Sequence, residues 1–227
     1  APNICIRELT GGLYFGRPQG RSEDGQTAYD TCVYSRYEIE RIVRLAYQYA
    51  EKRRKKVTVV DKANILATSR LWREVARGIA DEHPAVTTEY IYVDNAAMRI
   101  IQWPKDFDVL VTENMFGDIL SDEASVLTGS LGVLPSASLR DDKFGLYEPI
   151  HGSAPDIAGK DLANPIGTIL SLAMLLELSL GLVNEAKAVR SAINAVLDKG
   201  YRTADIMSEG CEQVGCAKMS ELIYEHL

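Results

Sequence analysis

Asn114-Met115-Phe116-Gly117-Asp118-Ile119-Leu120-Ser121-Asp122 follows Phe107-Asp108-Val109-Leu110-Val111-Thr112 with only Glu113 between the two runs. The upstream run reads as a buried strand, and Ile119, Leu120 and Ala124 open a helical pattern downstream. A buried strand running straight into a helix is the unit of an α/β fold, in which ligands bind in the crevice at the carboxyl ends of the strands. Asp118 and Asp122 stand four residues apart, one above the other on a single helix face. Two hard oxygen donors looking into that crevice are what Mg²⁺ or Mn²⁺ requires. The plainer alternative is a pair of first-turn acids favoured by the helix dipole.

Around this stretch, strand-like and helix-like segments alternate. Ser35-Arg36-Tyr37-Glu38 is a capping box for a helix whose apolar face is Ile39, Ile42, Val43, Ala46, Tyr49 and Ala50. Val57-Thr58-Val59-Val60 is a short strand that delivers Asp61 and Lys62 to its carboxyl end. A helix around Leu71 to Ala80 follows, with Leu71, Trp72, Val75, Ala76 and Ile79 as its stripe. Glu89 to Val93 is the next strand and delivers Asp94. Three consecutive strand ends thus present Lys62, Asp94, and Asp118 with Asp122, the arrangement expected when side chains converge on one crevice of a parallel sheet.

Elsewhere the periodicity is weaker. Thr10 to Thr31 is Gly-rich and reads as a loop followed by an extended arm over residues 27–34, where Tyr29, Val33 and Tyr34 have no obvious partner strand and could pair across a two-fold axis. Helices at Asn95–Ile101 and Asp118–Leu127 carry enough apolar residues for burial on more than one side, as interface helices do. From Gly129 to Ala163 glycines and prolines punctuate short segments. Asn164-Pro165 is then a suitable cap and first residue for an apolar helix through Leu180, and another helix from about Glu185 to Lys199 stops at Gly200.

Composition excludes several partners. The 227 residues hold 25 basic and 32 acidic side chains, and a net charge of −7 argues against nucleic acid or an anionic membrane. The single basic run, Lys52 to Lys56, reads as a solvated turn whose charges complement a helix C-terminus. Ile166 to Leu182, the longest apolar stretch, is interrupted by Gly167, Thr168, Ser171 and Glu177, too often to span a bilayer. Cys5, Cys32, Cys211 and Cys216 form no C-x-x-C pair; although Cys211 and Cys216 could meet, the expectation is reduced thiols in a cytoplasmic protein without a signal peptide.

Several other side chains suit either chemistry or a plainer role. Lys62, following an apolar strand, could be a general base or could pair with Asp61. Tyr14, between Gly11-Gly12 and Gly16, could donate a proton or simply pack. Arg7 could grip a substrate carboxylate, or pair with Glu8 or another acid. His151-Gly152-Ser153-Ala154-Pro155-Asp156 lies in a loop that lets backbone approach a ligand, and Asp156 could accept from a ribose hydroxyl, favouring NAD over NADP. No G-x-G-x-x-G follows a strand and no P-loop occurs, so any dinucleotide site is of a non-Rossmann kind.

Arg7 to Gly16, Val60-Asp61-Lys62-Ala63-Asn64, Tyr92-Val93-Asp94-Asn95, Asn114 to Asp122 and His151 to Asp156 resemble, in this order, the β-decarboxylating dehydrogenases of the isocitrate/isopropylmalate dehydrogenase type. The resemblance covers essentially the whole chain. It implies two α/β domains around a central cleft: residues 1–128 as an intermediate domain for substrate, metal and dimerisation, and residues 129–227 as the C-terminal part of a cofactor domain. It implies NAD-dependent oxidative decarboxylation of a 2-hydroxy acid with Mg²⁺ or Mn²⁺, in a homodimer with shared active sites. Thr10-Gly11-Gly12 favours (2R,3S)-3-isopropylmalate, giving 2-oxoisocaproate in leucine biosynthesis. Isocitrate, homoisocitrate or tartrate are alternatives for the same chemistry, and a non-catalytic dimerisation or regulatory fragment is a further one.

By the same resemblance Lys62 serves deprotonation, Tyr14 protonation, Arg7 and Asp94 the substrate, Asp94, Asp118 and Asp122 the metal, and the His151–Asp156 loop with Asn164 the cofactor. Lys62 and Asp94 are expected to reach across the interface into the partner's site. Because Ile4-Cys5-Ile6-Arg7 reads as a strand already under way, the resemblance also implies preceding sequence absent from this chain.

Overall fold

The computed structural model describes residues 3–227, which fall into two compact units, one ending at Ala124 and the other spanning Ser125–Leu227. The first unit carries β1 (Ile4–Arg7), β2 (Gly20–Arg21), β3 (Ala28–Tyr29), α1 (Arg36–Glu51), β4 (Lys56–Asp61), α2 (Ala67–Glu82), β5 (Thr87–Tyr92), α3 (Val93–Gln102), β6 (Val109–Thr112) and α4 (Asn114–Ser125). Its main sheet has four strands in the order β1-β6-β4-β5, all parallel. Arg7 stands beside Thr112, Thr112 beside Val60, and Asp61 beside Tyr92, so the strands end at a common level.

Strand alternation decides which helices cover which face. Ile6, Val57, Val59, Val109 and Val111 pack with Ile39, Val43 and Tyr47 of α1 and Trp72, Val75 and Ile79 of α2. Val60, Ile91 and Leu110 pack on the other side with Ala96 and Ile100 of α3, Phe107 and Leu120 of α4. A sheet buried on both faces explains the near-continuous apolar strands. α1 starts as its sequence requires: Ser35 accepts from the Glu38 N–H, and the Glu38 carboxylate accepts from the Ser35 N–H at 2.7 Å. Tyr49 packs against this core half-buried, and Tyr47 joins the face as well, fully buried and stacked on His83 at 5.0 Å.

Two expectations for this unit are corrected. The arm does not run as an unpaired strand over residues 27–34. Ala28–Tyr29 pairs antiparallel with Gly20–Arg21, and Tyr34 turns into the core, edge-on to Trp72 at 5.6 Å. The basic run is not merely a solvated turn. Arg53 Nε donates to Asp108 Oδ1 at 2.9 Å, the Arg54 N–H donates to Oδ2 at 2.8 Å, and Lys56 pairs with Glu89 at 3.0 Å. Asp108 is 1% exposed, and a carboxylate at that depth needs such partners.

The second unit contains β7 (Pro135–Leu139), β8 (Gly145–Pro149), α5 (Ile166–Leu178), α6 (Val183–Asp198), β9 (Tyr201–Arg202), β10 (Glu212–Gln213) and α7 (Cys216–Tyr224). β7 and β8 form an antiparallel hairpin that the Gly- and Pro-punctuated sequence concealed. Asp142 organises its turn, accepting from Arg140 Nε at 3.0 Å and from the Phe144 N–H at 2.9 Å. α5 begins later than expected, with Pro165 at the cap and Asn164 Oδ1 accepting from the Ile166 N–H at 3.0 Å. α6 stops where Gly200 takes φ +90°, as its sequence position requires. Ile166, Ala186, Val189, Ile193, Met219 and Leu222 tie α5, α6 and α7 into one core. Among the described residues no helix is long and apolar enough to cross a membrane, and the four cysteines are free thiols.

Candidate active site

Arg7 ends β1 and reaches the first turn of α4. Its Nη1 donates to Asp118 Oδ1 at 2.6 Å, and its Nε and Nη2 donate to Asn114 Oδ1 at 3.0 and 2.8 Å. Arg7 therefore pairs with Asp118, not with its sequence neighbour Glu8. Gly117 makes this approach possible: a Cβ there would lie 2.6 Å from Arg7 Cγ. Tyr14 completes the cluster. The Arg7 guanidinium carbon lies 5.7 Å from the Tyr14 ring centroid. Loss of water around the hydroxyl, then the influence of the Asp118 carboxylate, raise the Tyr14 pKa and hold the phenol protonated.

The loop carrying Tyr14 is held from below by Glu8, which is fully buried. The Glu8 carboxylate accepts from the Thr10 N–H at 2.8 Å, the Thr10 hydroxyl at 2.6 Å, the Gly11 N–H at 2.8 Å and Arg41 Nη2 at 2.8 Å. Gly12 takes φ +77°, where a Cβ would run into the Tyr34 hydroxyl. A cavity of about 230 Å³ beside this loop is lined by residues including Leu13, Tyr34, Trp72 and Phe116. It falls below the roughly 300 Å³ at which metabolite pockets begin.

A second cluster follows β4 and β5. Lys62 Nζ donates to Asp94 Oδ1 in a short ion pair, and that bond holds the Asp94 carboxyl below the ordinary aspartate range. Lys62 does not pair with Asp61. The Asp61 carboxylate is 2% exposed and is taken by Arg73, from Nε at 2.8 Å and Nη2 at 2.9 Å. The Lys62 N–H donates to Ser69 Oγ at 3.0 Å, which pins the backbone from which the ammonium extends.

Ion pairs and the Arg7–Tyr14 contact thus divide the expected residues into two groups: Arg7, Tyr14 and Asp118 in one, Lys62 and Asp94 in the other. Asp122 lies one helical turn beyond Asp118 on α4 and is exposed. Among the described residues of a single chain, no three His, Cys, Asp or Glu side chains come together as a metal site. Asp118, half-buried, and Asp122, exposed, are hard oxygen donors one turn apart on α4, a donor set that fits Mg²⁺ or Mn²⁺ when further ligands are supplied.

In the second unit, the His151–Asp156 loop follows β8. His151 Nδ1 bonds the Gly152 carbonyl at 2.8 Å, whereas its Nε2 is buried with no partner among the described residues. Gly152, Ser153, Pro155 and Asp156 are exposed, and Ala154 adopts a left-handed conformation at φ 42°. An imidazole nitrogen awaiting a partner beside open backbone fits a nucleotide cofactor. Asn164 differs: it is buried, and its amide is occupied by Asp205 at 3.0 Å and the Ile166 N–H at 3.0 Å. Its side chain is committed to the fold.

Sequence reasoning passed over Glu8, Asn114, Tyr34 and Glu113 as site residues. Tyr34 donates to Glu113 Oε2 at 3.0 Å and accepts from the Asn114 N–H at 2.9 Å, so these side chains brace the loop and the head of α4. The available signal was an acid two residues before Thr10-Gly11-Gly12 and an amide at a strand-to-helix junction.

A family model described as isocitrate/isopropylmalate dehydrogenase matches residues 3–223. The 3-isopropylmalate dehydrogenase of Halalkalibacterium halodurans is 59% identical over 98% of this chain and 62% of its own length. That of Geobacillus kaustophilus is 60% identical over 97% of the chain and 60% of its own length. The crystal structure of isocitrate dehydrogenase from Methylococcus capsulatus is similar with a TM-score of 0.90 at 41% identity, over 99% of this chain and 66% of that one. A β-decarboxylating dehydrogenase from Thermococcus kodakarensis in its apo form gives 0.79 at 36% identity, over 92% and 60%. The chain spans about 60% of the length of the curated relatives it matches. On the strength of the family match and these identities, the chain belongs to the isocitrate/isopropylmalate dehydrogenase family.

Proposed function

We propose that the protein carrying this chain oxidises and decarboxylates 3-isopropylmalate, using NAD and Mg²⁺ or Mn²⁺, as a homodimer. The observation that carries this reading is the contact of Arg7, Tyr14 and Asp118 at the carboxyl end of a parallel sheet whose neighbouring strands present Lys62 and Asp94. In this reading the metal is held by Asp118 and Asp122 with the partner subunit's Asp94. When bound it supplies Lewis-acid polarisation of the substrate hydroxyl and of the ketone that follows.

Arg7 grips a substrate carboxylate through its guanidinium fork. The partner subunit's Lys62 would serve removal of the 2-hydroxyl proton, and NAD, when bound, would accept the hydride from carbon 2. The bond from carbon 3 to its carboxylate then breaks, CO₂ departs, and its electron pair remains as an enolate. Tyr14, kept protonated by its desolvation and by Asp118, donates to carbon 3. His151, with Gly152, Ser153, Ala154, Pro155, Asp156 and the backbone at Asn164, serves the adenosine end of NAD. Homodimerisation is supported by Met98, Ile101 and Trp103 at the end of α3 and Ile119 on α4, large apolar side chains 46–57% exposed that call for cover.

The test is NADH formation from 3-isopropylmalate in the presence of Mg²⁺ or Mn²⁺, with isocitrate, homoisocitrate and tartrate run alongside. Turnover abolished by a chelator, with the highest kcat/KM on 3-isopropylmalate, is expected. A higher value on another acid would reassign the substrate, and no turnover on any would overturn the reading.

A further inference from the structure

Asn114 has no part in the chemistry above, yet it is 1% exposed and its amide is occupied at both ends. Its Oδ1 accepts from Arg7 Nε at 3.0 Å and Nη2 at 2.8 Å. Its Nδ2 donates to the Gly11 carbonyl at 3.2 Å, at the head of the loop that carries Tyr14. Its backbone N–H donates to the Tyr34 hydroxyl at 2.9 Å, fixing where the side chain starts. One amide therefore joins the end of β1 to the Tyr14 loop. The work needs an acceptor and a donor on one short planar group, which an aspartate or an alanine does not supply.

We propose that Asn114 is a positioning residue that holds Arg7 and the Tyr14 loop in one frame, so that the carboxylate grip and the proton donor keep a fixed separation. The consequence for catalysis rests on the function proposed above; the geometric consequence does not. Gly117 and Glu8 complete the arrangement without duplicating it. Gly117 leaves room for the Arg7 stem, and Glu8 holds Thr10 and Gly11 but makes no bond to Arg7.

The experiment compares Asn114→Asp with Asn114→Ala. The aspartate keeps an acceptor for Arg7 but sets an oxygen against the Gly11 carbonyl, so the loop alone is released. KM for 3-isopropylmalate is expected to stay near the wild-type value, while kcat falls by about tenfold, the effect of losing one positioning contact in the transition state. In a single turnover, NADH and CO₂ should form ahead of 2-oxoisocaproate. The alanine frees both ends, and KM is expected to rise by about tenfold as well.

A second readout needs no turnover. Exchange of the Arg7 Nε–H with solvent, followed by NMR, should be slow in wild type and Asn114→Asp and fast in Asn114→Ala. Unchanged exchange in the alanine variant would overturn the positioning role, as would identical KM and kcat in the two variants. If wild type turns over no 2-hydroxy acid, the functional reading fails, and the exchange result still decides the role of Asn114. Should Asn114→Ala not fold, the KM-against-kcat split in the near-isosteric Asn114→Asp remains decisive.

Discussion

Tyr14 and Lys62 lie in separate clusters and have separate tasks in the proposed reaction, and kinetics can tell them apart. If Tyr14 supplies only the late proton, Tyr14→Phe should leave hydride transfer nearly intact and slow product formation by about a hundredfold, within the usual range for a lost general acid. Lys62→Met should suppress hydride transfer itself. Single-turnover NADH bursts measured alongside formation of the protonated product, 2-oxoisocaproate, separate the steps, and equal mild losses in both variants would mean that these residues only pack. A residue of the second unit sets a pH limit instead. Burial pushes the Asp205 carboxyl up, but donation from Ser130, Thr203 and Asn164 outweighs it and the pKa is lowered. A carboxyl with a depressed folded pKa adds stability above its unfolded value of about 3.9 and loses it as pH falls through the folded value. Asp205→Asn should thus flatten the acid limb of stability below about pH 4, measured by urea unfolding at stepped pH; an unchanged limb would assign the acid sensitivity elsewhere.

Elements differ in how much of their structure their sequence states. α1 is legible because Ser35 and Glu38 cap it reciprocally and its apolar residues keep one period, and β4 and β6 are legible because both faces are covered. β7 and β8 are not, because Pro135, Gly145 and Pro149 break the period and the turn depends on Asp142, a contact no periodicity encodes. The arm failed for a related reason. Tyr34 has the composition of a strand residue, but its place is set by Trp72, Glu113 and Asn114, all distant in sequence. At the site, Asp118, Lys62 and Asp94 could be placed by their position after strands, whereas the partners that Arg7, Asp61 and Glu8 choose depend on strand order β1-β6-β4-β5, which only the fold reveals. Trp72 is 2% exposed and fills the space between α2 and Tyr34. Trp72→Ala should cost about 3–5 kcal/mol of stability, read from denaturant midpoints; a loss well under that would mean the site collapses around the gap.

For the molecule as a whole, the division of the site residues into two clusters fits the proposal that each active site is completed across a two-fold axis. A C₂ interface is self-complementary, so each chain that lends Lys62 and Asp94 receives the same pair in return. Lys62→Met and Asp118→Asn dimers should each be inactive. Unfolded together and refolded as a mixture, they should form heterodimers in which one site draws Asp118 and Tyr14 from one chain and Lys62 and Asp94 from the other. Random pairing predicts recovery of about a quarter of wild-type activity, since half the dimers are mixed and each carries one intact site of two. Activity that stays at the level of the separate variants, with heterodimers present by mass, would contradict a shared site.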